Sequence, residues 1–172
     1  TGWFRTAKDI KERGGALVTG FDMHDAALLP NKGYAPISAS KIWDNYAWFI
    51  EQVMPTAEEN GVRMGLHPDD PPVPSIEGVG RFFIHPEAID KALALNDSHS
   101  HGITFCQGTY RTMGANIPML VHKWINRIVF IHFRDVEGTP EHFHETFHDN
   151  GPTDMPSMLA MYRDEGFNGI IR

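Results

Sequence analysis

From residue 41 onward the chain alternates between two periods of hydrophobic spacing. Ile42, Trp43, Tyr46, Phe49, Ile50 and Val53 recur at three- and four-residue intervals and draw one apolar face along a helix. Ser40 is its expected N-cap, Pro55 a possible kink and Gly61 its stop. Val62–His67 then reads as a short strand that runs into Pro68-Asp69-Asp70-Pro71-Pro72, where no strand ladder can continue. A proline-rich loop to about Gly80 precedes a helix over 86–95, with Ile89 and Leu93 on its apolar side. Ile103–Cys106 reads as a strand closed by Gly108, and Ile117–Trp124 as a helix. Ile128–Phe133 is a near-continuous apolar run, the mark of a strand covered on both faces. A last helix to Glu165 leads into Gly169-Ile170-Ile171, the start of another strand.

Helix and strand thus alternate, which predicts βαβ units and a parallel sheet. The strand ends at 67, 106 and 132 are 39 and 26 residues apart, close to the roughly 30 per unit of an eight-unit barrel. The expectation is an α/β fold with 1–172 as a single partial TIM-type (β/α) barrel domain: an irregular lead over 1–40 and βα units over 41–172. Gly14-Gly15, Gly20, Pro30 and Gly33 punctuate that lead, and only Ala16-Leu17-Val18 suggests a strand in it. Residues 138–151 are polar and His-rich, without a period.

Composition narrows the function classes. Hydrophobic residues make up 41% and charged residues 22% of 172, an ordinary globular balance. The net charge of −7 and the absence of any Lys/Arg-rich run argue against nucleic-acid or anionic-membrane partners. No apolar stretch approaches the roughly 20 residues of a membrane helix, and the first residues lack a signal-peptide layout, so a cytoplasmic location is expected. The missing initiator methionine suggests a processed chain or a piece of a longer one. One cysteine excludes an internal disulfide.

Three candidate ligands sit at equivalent places. His67, Cys106 and His132 each end a predicted strand, and in a parallel barrel those ends face one rim, where active sites lie. Taken singly, each has a bland reading, a structural histidine or an inert small cysteine. Taken together, two imidazoles and a thiol suit a transition metal. The signal is weaker than a paired Cys-x-x-Cys motif. Adjacent Asp69 and Asp70 read as loop formers rather than a catalytic pair. His142, His144 and His148 read as a solvated loop, and Trp43, Trp48 and Trp124 as helix core or interface.

The run Gly61-Val62-Arg63-Met64-Gly65-Leu66-His67-Pro68-Asp69-Asp70-Pro71-Pro72 resembles the signature of mannonate dehydratases. Thr104-Phe105-Cys106-Gln107-Gly108, Ile131-His132-Phe133-Arg134-Asp135 and Asp154-Met155 follow in the family's order, so the resemblance covers about 41–172. It implies a xylose isomerase-like barrel, and Mn(2+) or Fe(2+) held by His67, Cys106, His132 and an aspartate. It also implies dehydration of the sugar acid D-mannonate to 2-keto-3-deoxy-D-gluconate, as in hexuronate breakdown. Ligand softness alone would favour zinc.

The departures bear on activity. The family's Pro-Asp-His element, with the fourth ligand and a proton-transfer histidine, follows the strand that begins here at Gly169, and this sequence ends at Arg172. Gly80-Arg81 occupies the place of the family's Pro-Arg step, and Arg81 is the candidate for binding the substrate carboxylate, a solvated loop arginine being the alternative. No catalytic acid or base is assigned. Two other readings stay open: a non-catalytic metal-binding or structural fragment, and a metal-dependent sugar isomerase or epimerase. The latter would use a carboxylate-rich ligand set. A partial barrel has open sheet edges, so a homo-oligomer or completion by other segments is expected.

Overall fold

A computed structural model of the chain describes residues 3–29, 33 and 35–172. Its elements in order are β1 (Ala7–Lys11), β2 (Leu17–Asp22), α1 (Met23–Leu28), α2 (Ala39–Glu59), β3 (Met64–Leu66), β4 (Ser75–Ile76), β5 (Val79–Gly80) and α3 (Pro86–Leu93). They continue with β6 (His101–Cys106), α4 (Gln107–Thr112), α5 (Ile117–Trp124), β7 (Ile128–His132), β8 (Asp135–Thr139), β9 (His142–Thr146), α6 (Met155–Asp164) and β10 (Ile170–Ile171).

The alternation over 41–172 builds a four-stranded parallel sheet in the order β10-β7-β6-β3. Its apolar strands are covered by the helices between them. Ile103, Phe105 and Ile131 are wholly buried against Ile89 of α3, Leu120 and Val121 of α5 and Tyr162 of α6. The ring of Phe105 stacks on Tyr110 at 4.7 Å and meets Tyr162 edge-on at 6.2 Å. Trp124 is buried in the same core, Trp43 stacks on Phe82 and Trp48 is exposed. The sheet does not close into a barrel within the described residues; β3 and β10 are its edges.

Several boundaries differ from the sequence expectation. The long helix starts two residues early, because Ser38 rather than Ser40 caps it by accepting from Lys41 N. Pro55 lies inside α2 without ending it. The helix stops where expected, at Gly61, whose φ of +63° suits a residue without a Cβ. Gly108 does not close a strand turn: it lies in α4, which begins directly after Cys106.

The irregular lead is the main correction. Residues 7–28 form β1, β2 and α1, with Pro30 outside the described residues. The polar stretch 138–151 supplies β9, and the four strands make a second, antiparallel sheet in the order β1-β2-β9-β8. Its core is small: Phe21, Val136 and Phe143 pack with Val73 and Ile76. Strands such as Ala7–Lys11 carry few apolar residues because this sheet buries little of their surface. A weak period is the consequence.

Candidate metal centre

Register brings the ligand residues together. Cys106 and His132 are cross-strand partners at the C-terminal ends of β6 and β7, and His67 follows the end of β3 on the other side of β6. One ligand atom from each of the three lies within 4.8 Å of the other two. His67 Nε2 is 3.1 Å from His132 Nδ1. Two nitrogens each ~2.1 Å from one ion and at right angles to it would stand about 3 Å apart, so the spacing fits a shared cation.

The neighbours orient these donors. His67 Nδ1 donates to the Pro68 carbonyl at 2.6 Å, which places the proton on Nδ1 and leaves the Nε2 lone pair facing the site. Cys106 is buried, and its sulfur accepts from Thr109 Oγ1 at 3.1 Å and Arg134 Nε at 3.2 Å. Burial alone would push the thiol up. The Arg134 charge and the contacts with the two imidazoles outweigh burial and hold the thiol well below its ordinary value. Burial likewise pulls His67 down, but contact with Cys106 and the Pro68 carbonyl raises it overall. A thiol pulled below its ordinary value beside two imidazoles is a donor set that fits a borderline divalent metal.

A cavity of about 660 Å³ opens over the triad, lined also by Trp3, Thr19, Ile42, Leu66, Phe83 and the carboxylates Asp69, Asp70 and Glu145. The two aspartates act as loop and hydrogen-bond residues. Asp69 Oδ2 accepts from Phe82 N at 3.1 Å and Phe83 N at 2.9 Å. Asp70 pairs with Arg5 at 2.9 Å and Arg134 at 2.7 Å.

Arg81 is not brought to this cavity. It is neither a solvated loop residue nor a neighbour of the triad. Its side chain is buried, donates to the Pro71 carbonyl at 3.2 Å and lies 3.6 Å from Asp69. His142, His144 and His148 do not converge: they engage Asp22, Glu12 and the Phe133 carbonyl respectively. What sequence reasoning missed is Arg5, Arg134 and Glu145. The sequence signals for Arg134 were its place two residues after His132 and its part in the matching run Ile131-His132-Phe133-Arg134-Asp135.

A family profile for D-mannonate dehydratase (UxuA) matches residues 25–172. The chain belongs to the D-mannonate dehydratase family. The mannonate dehydratase of Shouchella clausii is 36% identical over 148 residues, which is 82% of this chain and 40% of that protein. Mannonate dehydratase 2 of Halalkalibacterium halodurans is 37% identical over 147 residues, covering 82% of this chain and 42% of that protein. The crystal structure of mannonate dehydratase from Streptococcus suis serotype 2 superposes with a TM-score of 0.89 at 31% identity, covering 100% of this chain and 53% of that one. The chain therefore spans about two fifths of these curated mannonate dehydratases and about half of the solved one. No helix among the described residues is long and apolar enough to cross a membrane.

Proposed function

We propose that this chain supplies the metal-holding part of a lyase that removes water from D-mannonate to give 2-keto-3-deoxy-D-gluconate. The observation that carries the reading is the convergence of His67, Cys106 and His132 within 4.8 Å in a member of this family. The four parallel strands would then be part of a TIM-type, xylose isomerase-like barrel. The triad would hold Mn(2+) or Fe(2+), which when bound supplies Lewis-acid polarisation of the sugar acid's carboxylate and neighbouring hydroxyl.

The chain's own residues do the rest of what this part can do. His67 keeps Nε2 free by spending its Nδ1 proton on Pro68. Cys106 contributes negative charge held in place by Thr109 and Arg134. Leu66, Ile42 and Phe83 give the cavity an apolar side. The cavity has the size of a small-molecule site, for which about 300–1,000 Å³ is usual. A free thiolate ligand favours a reducing compartment, so we place the protein in the cytoplasm.

One observation favours a second reading, a metal-binding part without turnover. Every carboxylate lining the cavity is already engaged: Asp69 with backbone amides, Asp70 and Glu145 with Arg5 and Arg134. That leaves no unpaired acid–base couple among the described lining residues. The two readings separate in one experiment. The 172-residue chain is loaded with Mn(2+) or Fe(2+), its metal content measured, and D-mannonate dehydration followed through the keto product. Metal with product supports the lyase; metal without product supports the second reading; failure to retain any divalent ion defeats both.

A further inference from the structure

The centre is bound to a closed ring of charge. Arg5 pairs with Asp70 at 2.9 Å and with Glu145 at 2.6 Å, and Arg134 pairs with the same two carboxylates. The four residues come from the segment before β1, the loop after β3, the turn after β7 and strand β9. The ring therefore ties the antiparallel sheet to the rim of the parallel one. Two guanidinium groups and two carboxylates leave it neutral.

Arg134 is the member that faces the sulfur. Its Nη1 donates to Glu145, its Nη2 to Asp70 at 2.7 Å and Thr109 Oγ1 at 3.1 Å, and its Nε to Cys106 Sγ at 3.2 Å. These four bonds use the rigid fork that only arginine has. Thr109 in turn gives its hydroxyl proton to the same sulfur.

Gly108 makes room for this arrangement. A Cβ built there would come within 2.9 Å of Arg134 Cγ and 3.1 Å of its Nε and Cζ. The side chain cannot easily yield, because four hydrogen bonds pin it. The glycine thus allows the guanidinium to lie over the start of α4, directly above the sulfur.

Resting on the metal-centre reading above, we propose that Arg134, seated on Gly108 and locked by the charge ring, is a positioning residue that fixes the Cys106 sulfur for its cation, with Thr109 as the second donor. The role is electronic as well as geometric. Donors to a metal-bound thiolate lower the energy of its lone pairs and so tune the metal–sulfur bond.

Cobalt(II) is the probe, because a thiolate bound to it gives a near-ultraviolet charge-transfer band. The wild-type 172-residue chain and the variants Arg134→Met, Arg134→Lys, Gly108→Ala and Thr109→Val are titrated with cobalt(II), with far-ultraviolet circular dichroism as the check on folding. Arg134→Met is expected to bind about 10–100-fold more weakly, the usual cost of losing an outer partner, and to shift the band to longer wavelength. Gly108→Ala, which displaces the arginine without removing it, is expected to shift it the same way. Thr109→Val should give a smaller shift, reversed in Thr109→Ser. Arg134→Lys should recover part of the affinity but not the band position.

Folded variants with the wild-type band and affinity overturn the proposal while leaving the metal centre intact. A wild-type chain that binds cobalt(II) with no thiolate band overturns the centre itself and this role with it. If Arg134→Met does not fold, Gly108→Ala and Thr109→Val decide the matter, because both keep every charge of the ring.

Discussion

His67 Nε2 and His132 Nδ1 stand 3.1 Å apart, although 65 residues separate them in the chain. Nothing but a shared proton or a shared cation makes that distance favourable for two nitrogen acceptors. Replacing either histidine or Cys106 with alanine removes one of three donors. Each variant is expected to lose cobalt(II) affinity by more than the ~10–100-fold typical of outer-partner losses. Elemental analysis after dialysis checks this, and undiminished metal in His132→Ala would mean that the ion sits elsewhere.

Asp70 is expected to contribute to the acid sensitivity of the fold. Its burial would raise the carboxyl, but Arg134 and Arg5 outweigh that and hold it below the ordinary value. A folded pKa below the unfolded one means stability that is complete above the unfolded value of about 3.9 and lost as pH falls through the depressed one. Asp70→Asn leaves two guanidinium groups short of a partner and is expected to cost about 3–5 kcal/mol at neutral pH. Urea melts from pH 2.5 to 7 should show the acid limb flattened in the variant; parallel curves would place that limb at another group.

One carboxylate helps to close the loop from Asp69 to Phe83. Asp69 Oδ2 accepts two backbone amides, Phe82 N and Phe83 N. Asp69→Ala strands both, at about 1–3 kcal/mol for each amide left without a partner and less where water reaches it. Urea unfolding is expected to show a loss within that range, and amide exchange at 82 and 83 should accelerate.

Arg81 should behave as a support of that loop. Its guanidinium lies on the Pro71 carbonyl, away from the cavity over the triad. Arg81→Gln is expected to lower stability and leave cobalt(II) affinity within about twofold of wild type, a difference of ~0.4 kcal/mol. A large loss of metal affinity with unchanged stability would return Arg81 to the site.

Association through the edges of the parallel sheet is expected. Ile170 on β10 is 65% exposed, and β3 at the other edge is only three residues long. Open edges with apolar side chains pair readily. Light scattering on the eluted chain is expected to give a multiple of 19.4 kDa, reduced by Ile170→Lys. A monomer at tens of micromolar would refute the prediction.

Much of this arrangement was legible along the chain. The runs at 103–106 and 128–133 and the helical spacings of α2, α3, α5 and α6 are local patterns, set by which face each element must bury. The three candidate ligands were visible because strand ends coincide with proline or polar punctuation: His67 before Pro68, Cys106 before Gln107, His132 before Arg134. Only the start of β2 was legible, at Ala16-Leu17-Val18, because the strand's later residues pair with β9, with Gly20 opposite His144. No local period records a pairing across that distance. Arg5, Arg134 and Glu145, the partners that enclose Asp70, escaped for a related reason. Charged residues scattered in sequence read as solvated surface, and only their mutual approach makes burial tolerable.

The sequence by itself determined the alternation of helix and strand, the residue types able to hold a metal and the family signature, because these depend on local periodicity and side-chain chemistry. Only the tertiary structure decided which strands are neighbours, that Cys106 faces His132 across β6 and β7, and that Arg134 rests on Gly108 with its Nε on the sulfur. Those outcomes follow from register and packing, in which residues remote along the chain must fill the same space.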